Sequence, residues 1–289
     1  MNTKTNFFAS ITVLMIAFFT MMFSGCSEQS SLEPTTSDLA PSADVAESVA
    51  GAVGESSGGV VEQVGDVIDL TTQLRLGKST ADGFIDHREA SYDESTQTWT
   101  LVVDRERGIQ GTPPYGIWHR VFTYQFLNAD LHPQKFFITD DDTATTIKFN
   151  IVEGDGYYKN FRLSHDLTDI AASYVATETN TDMVTVNGVY TRAAIDTITT
   201  QSFTRVSDHT LELTIIDLKG PKGSRRNLAK KVSGTIAGTF HADITFDGER
   251  GYAEKTVDKE INIVISEGEA TIDVNGNVYM SDIESGQVK

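Results

Sequence analysis

The 289-residue chain has a single cysteine, Cys26, and only 23 Lys and Arg against 41 Asp and Glu, a net charge of −18. One thiol excludes an internal disulfide framework and a cysteine-rich zinc site. The shortage of bases argues against a nucleic-acid partner, because phosphate binding needs a basic face. Catalytic signatures are missing as well: there is no Gly-x-Ser-x-Gly elbow and no His-Glu-x-x-His. Gly77-Lys78-Ser79-Thr80 ends like a phosphate-binding loop, but Thr72 stands where the leading glycine belongs. No anion cradle is expected there.

What is present begins with an address. Lys4 supplies a positive start, and Phe7–Phe23 is an apolar run followed by Ser24-Gly25-Cys26. As a helix the run would extend roughly 25 Å, short of the ~30 Å core of a bilayer. Charge, apolar run and small residues are the layout of a signal peptide over residues 1–25. Phe23-Ser24-Gly25-Cys26 resembles the lipobox of bacterial lipoproteins, with Phe23 in the place of the usual aliphatic residue. The resemblance covers the targeting segment only. It implies cleavage before Cys26, acylation of the Cys26 thiol and of the new amino terminus, and attachment to a membrane. Ser27 in place of an aspartate implies the outer membrane. Two or three acyl chains satisfy the need for more than one chain in stable anchoring.

Behind Cys26 the chain carries no Lys or Arg until Arg75. Residues 26–41 are acidic and rich in Ser, Thr and Pro, and read as a flexible tether reaching roughly 20 Å. Residues 42–70 show a weak helical pattern. Ser42 is placed to cap a helix with Val45, Val49 and Val53 on one face. Gly54-Glu55-Ser56-Ser57-Gly58-Gly59 interrupts it, and Val60, Val64, Val67 and Ile68 mark a second helix. Two readings stay open, a helical hairpin docked on a sheet or partner, and a partly ordered spacer.

From about residue 71 to 289 the period changes to two. Ile236, Gly238, Phe240, Ala242, Ile244 and Phe246 alternate with Thr235, Ala237, Thr239, His241, Asp243 and Thr245, as in a half-buried strand. Leu211, Leu213 and Ile215 and then Val257, Ile261, Ile263 and Ile265 repeat the pattern. Asp82-Gly83, Asp155-Gly156, Asn187-Gly188, Asp247-Gly248 and Asn275-Gly276 are predicted hairpin turns. No long helical crossover is visible, so parallel pairing is excluded. The expected fold is all-β, an antiparallel meander of about twelve strands. Sandwich, open barrel and curved sheet all remain open.

Two clusters stand out as candidate sites. Trp118, Phe122, Tyr124 and Phe126 share a strand face with Arg120. They form a candidate groove for a lipid or other hydrophobic ligand, with Arg120 set to hold an anionic head group. Lys219, Lys222, Arg225, Arg226, Lys230 and Lys231 concentrate the bases in one loop, a candidate contact for an anionic envelope component or an acidic partner. The histidines are scattered singly. His87 with Glu89 and His241 with Asp243 share strand faces, but neither pair is a complete ligand set, so no metal site or cofactor is expected. The acidic runs at Asp140-Asp141-Asp142 and Glu153-Gly154-Asp155-Gly156 lack the spacing of a calcium loop. The expectation is therefore a non-enzymatic outer-membrane lipoprotein serving as an envelope interaction or structural module. The alternative is a binder of lipid or hydrophobic ligands.

Overall fold

The computed structural model describes residues 42–72, 77–81, 84–140, 142–223, 225–249 and 251–289. The signal peptide, Cys26, the tether and the Asp82-Gly83 turn lie outside the described residues.

Two helices open the described chain, α1 (Ser42–Val53) and α2 (Val60–Asp69). Their bounds follow the valine stripes, and the glycine-rich break between them is a tight reversal. Gly54 N–H donates to Ala50 O at 2.9 Å and Gly59 N–H to Gly54 O at 2.8 Å. Thr71 and Thr72 close α2 by donating their hydroxyls to Ile68 O and Asp69 O. The hairpin is no spacer. Val49, Val53, Val60, Val61, Val64 and Val67 are all fully buried.

The strands are β1 (Gly77–Ala81), β2 (Phe84–Asp93), β3 (Thr98–Ile109), β4 (Thr112–Leu127), β5 (Pro133–Gln134), β6 (Thr146–Lys159) and β7 (Leu163–Thr177). They continue as β8 (Met183–Thr199), β9 (Phe203–Pro221), β10 (Ser233–Gly248), β11 (Gly251–Ser266), β12 (Glu269–Val274), β13 (Asn277–Asp282) and β14 (Gln287–Val288). All pair antiparallel in chain order, except that β5 lies off the path on β4. The result is one open antiparallel sheet of fourteen strands, thirteen of them in a meander and β5 beside it. The excess over the twelve expected comes from the two-residue strands β5 and β14.

Two predicted turns are strand interior. Asp155-Gly156 lies within β6 and Asn187-Gly188 within β8. At Gly188 the register slips beside Val186, and a Cβ there would stand 2.1 Å from Ser173 O on β7. The glycine permits close backbone approach at a bulge, which leaves the same sequence mark as a turn. Asn275-Gly276 is the turn expected of it, with φ of 50° and 85°. The chain turns just past Asp247-Gly248, where Gly248 still pairs with Gly251.

Period-two alternation gives the sheet an inward face built from residues such as Leu101, Phe122, Phe149, Tyr174, Leu211 and Phe240, all buried in one cluster with the valines of both helices. Full burial of side chains of this size is worth ~1.5–3 kcal/mol each. Polar residues of α2 go under as well, Glu62 at 0% and Asp66 at 1% exposure. Arginines on the inward face meet them. Arg105 clasps both carboxylate oxygens of Asp66, with Nη1 donating to Oδ2 at 2.8 Å. Arg120 and Arg107 donate to Glu62 at 2.8 and 3.0 Å. Arg225 and Arg88 stand 3.4 and 3.5 Å from Asp66 Oδ1. Burial alone would raise both carboxyls, but the guanidinium groups outweigh it and hold Glu62 and Asp66 below the ordinary carboxylate range.

Asp66→Asn leaves guanidinium charge uncompensated in the interior, a loss on the order of 3–5 kcal/mol. The expected outcome is a lower urea midpoint at an unchanged m-value. Carboxyls depressed by folding contribute stability above the ordinary value of about 4, and that contribution fades as pH falls below it. Wild-type stability should therefore drop between pH 5 and 3, and drop less steeply in Asp66→Asn. Equal slopes would mean that folding does not depress the Asp66 carboxyl.

Candidate functional site

A cleft of about 850 Å³ opens on the outward face of β2, β3, β4, β6 and β7. Strand register builds it. His87, Asp104, His119 and Asp155 pair across β2, β3, β4 and β6 in one continuous row. The next outward row runs Ile85, Glu106, Ile117, Tyr157 and Asp166. Two irregularities bend the sheet at this place. One lies on β6, where Phe122 pairs with Ile151 but Val121 with Glu153. The other lies on β7, between Leu167 and Asp169. A bulge bends its strand and re-aims side chains, which accounts for a hollow at this place on the outward face. Thr168, the extra residue on β7, lines the cleft and donates its hydroxyl to Ala193 O at 3.0 Å.

Asp104 sits between two imidazoles. His119 Nδ1 is 2.6 Å from Asp104 Oδ1 and His87 Nδ1 is 3.6 Å from Oδ2. His87 Nε2 is in turn 3.3 Å from Glu89, so the face shared by His87 and Glu89 does bring them together. Glu106 accepts a hydrogen bond from the Tyr115 hydroxyl at 3.3 Å. The cleft thus presents four carboxylates, from Asp104, Glu106, Asp155 and Asp166, beside Ile85 and Ile117. The one Lys or Arg lining it, Arg105, has its guanidinium turned to the interior and bound to Asp66. Chemically this is a cation-selective surface with an aliphatic patch.

The aromatic face lies on the opposite side of the sheet and is closed, with Trp118 alone of its members bordering the cleft. Trp118, Arg120, Phe122, Tyr124 and Phe126 are all buried on the inward side of β4. Arg120 is committed to Glu62 and to Gly58 O. The groove expected for a hydrophobic ligand is filled by the chain itself: the helical hairpin meets Trp118 and Arg120, and Trp99 and Phe137 pack on Tyr124 and Phe126, since an inward strand face needs a cover. The basic loop is divided as well. Arg225 turns inward, donating to Glu62 O at 2.8 Å, and Lys222 lies over the Phe137 ring at 5.2 Å. Lys219, Lys230 and Lys231 are exposed, and the Arg226 side chain lies outside the described residues. His241 pairs at 2.7 Å with Asp258 on β11, not with Asp243.

A further cluster escaped the sequence. His165, Asp196 and His209 face inward from β7, β8 and β9 and are buried. His165 Nδ1 hydrogen-bonds Asp196, and Ser48 of α1 donates its hydroxyl to the same carboxylate. His209 stacks on Phe240 with centroids 4.8 Å apart. Burial pushes His209 down to about 4, and lowers His165 too, against the pull of Asp196. Burial would raise Asp196, but the two imidazoles and Arg192 hold it low. These residues have no shared spacing in the chain, so only strand register could have revealed them.

Arg225→Glu places a third carboxylate against Glu62 and Asp66 and should lower the melting temperature by well over 10 °C. Lys230→Glu with Lys231→Glu, on exposed side chains, should leave it unchanged. Thermal melts of the two variants, side by side, separate the structural base from the surface bases. Comparison of the chain with protein-family models, with curated proteins and with solved structures finds no match.

Proposed function

We propose that this chain is a lipid-anchored envelope protein, held at the outer membrane through Cys26, whose β domain is a non-enzymatic binding module. Its ligand is a basic, partly aliphatic segment of a partner protein. The cleft on β2–β7 carries this reading. Four carboxylates line it with no outward-facing Lys or Arg among its lining residues, two imidazoles meet only Asp104 of the four, and Ile85 and Ile117 offer aliphatic contact beside them. A volume of about 850 Å³ suits a ligand of a few residues. The net charge of −18 adds a long-range field that draws in a basic partner and turns away acidic ones. An anionic partner at the lysine loop has less support, because Arg225 is spent on the interior. A hydrophobic ligand on the Trp118–Phe126 face has none.

The test uses the full chain in detergent and two hexapeptides, one alternating lysine with leucine and one alternating glutamate with leucine. Titration is followed through the imidazole NMR signals of His87 and His119. The lysine peptide should bind and perturb both rings, and its affinity should fall as salt rises. Asp155→Lys with Asp166→Lys should weaken it at least tenfold without changing the melting temperature. Equal affinity for both peptides, or binding that leaves both rings unmoved, overturns the reading. The anchor is tested separately. Cys26→Ser should move the protein from the membrane pellet to the soluble fraction, and retention in the pellet would remove lipidation from the proposal.

A further inference from the structure

We propose that His165, Asp196 and His209 form a binding site for one divalent transition-metal ion of the zinc type. The site is distinct from the outward cleft and independent of what that cleft binds. The three side chains come from adjacent strands. Asp196 on β8 pairs directly with His165 on β7, and His209 on β9 pairs with Ala194, two residues along the same face. One ligand atom from each lies within 4.8 Å of the others.

The spacing at His209 is the telling feature. Its Nδ1 stands 3.8 Å from Asp196 Oδ2, too far for a hydrogen bond. Two ligands that each bind zinc at ~2.0–2.2 Å in a tetrahedral site lie roughly 3.3–3.6 Å apart, so a small inward shift brings both onto one ion. No good alternative occupies the ring. Its Nδ1 has only a 3.4 Å contact to Ser207 O, and its Nε2 has no hydrogen-bond partner. Yet the residue is 1% exposed. Leaving such a group unsatisfied is costly, and the ring stacks on Phe240 with centroids 4.8 Å apart. Coordination by Nδ1 answers one of those needs.

A cavity of about 20 Å³ adjoins Asp196 and is lined also by Ser48 and Ser207, though by neither histidine, with room for a single water. The Ser207 hydroxyl is buried with no partner, and a water there would supply one. Two imidazoles and a carboxylate without sulfur suit zinc and its first-row neighbours, whereas magnesium and calcium prefer oxygen alone. Burial keeps both rings neutral, the form that ligates.

The surrounding charges set the affinity. Arg192 donates to Ser48 O at 2.9 Å and presents a positive charge to the cluster. Asp44 on the far side is engaged by Arg205 and Arg162. Arg192 therefore opposes a cation, and removing its charge should tighten binding. A merely structural histidine pair would show no such response.

The test is equilibrium dialysis of the full chain in detergent against zinc, after treatment with a chelator, with cobalt(II) absorption as a second readout. One equivalent should bind, with a tetrahedral cobalt spectrum and a zinc-dependent rise in melting temperature. His209→Gln and Asp196→Asn should each lose at least a hundredfold in affinity, and Arg192→Gln should gain roughly tenfold or more. His87→Gln with His119→Gln should change nothing, which sets this site apart from the outward row. No bound zinc in the wild type overturns the proposal, as does binding that disappears only with His87 and His119. If His209→Gln fails to fold, Arg192→Gln decides: unchanged affinity there overturns it too.

Discussion

Everything inside this protein is arranged around the clasp between two carboxylates of α2, Glu62 and Asp66, and the arginines of the inward sheet face. A single open sheet has one face too many. Its inward residues are as apolar as any core and would stand in water without a cover. The valines of α1 and α2 provide the cover, but valine stripes slide easily past one another. The bidentate bond from Arg105 to Asp66 and the bonds from Arg107 and Arg120 to Glu62 allow one register only. Buried ion pairs add little net stability over apolar packing, because desolvation offsets attraction. We read their role here as specifying how the hairpin sits, a role known for buried polar groups elsewhere.

Sealing the inward face leaves the outward face as the open one. The aromatic row on β4 lies on the sealed side, and the outward side around the cleft carries charged residues with Ile85 and Ile117 among them. Two bulges, on β6 and β7, interrupt its smoothness and open the cleft between the histidine row and Asp166. A binding surface on regular strands is held more firmly than one on loops. The cleft residues owe their spacing to the backbone ladder itself.

The inward face also carries its own polar cluster, His165, Asp196 and His209, beneath Ser48. It lies apart from the arginine clasp, on strands β7–β9 and under α1 instead of α2. The hairpin is thus tied at both ends by polar contacts, one a network of ion pairs around two carboxylates, the other centred on Asp196. Both leave buried nitrogens without hydrogen-bond partners, but only the second sets two imidazoles beside a carboxylate, a donor set that suits a metal ion.

Element type and order were legible in the sequence, and the reason is local. Alternation along Ile236–Phe246 forces a strand, valines at every fourth position force a helix, and neither needs to know what lies across from it. The same locality misled at Asn187-Gly188 and Asp155-Gly156, where glycine serves close backbone approach as well as turning. Composition likewise determined the acidic charge and the absence of a disulfide framework. The tertiary structure alone decided which acids meet which bases. Asp66 and Arg225 are far apart in the chain and carry no mark of each other, and His165, Asp196 and His209 share no spacing. Such pairings depend on strand register and on which face the hairpin covers, and both are set by contacts between distant segments.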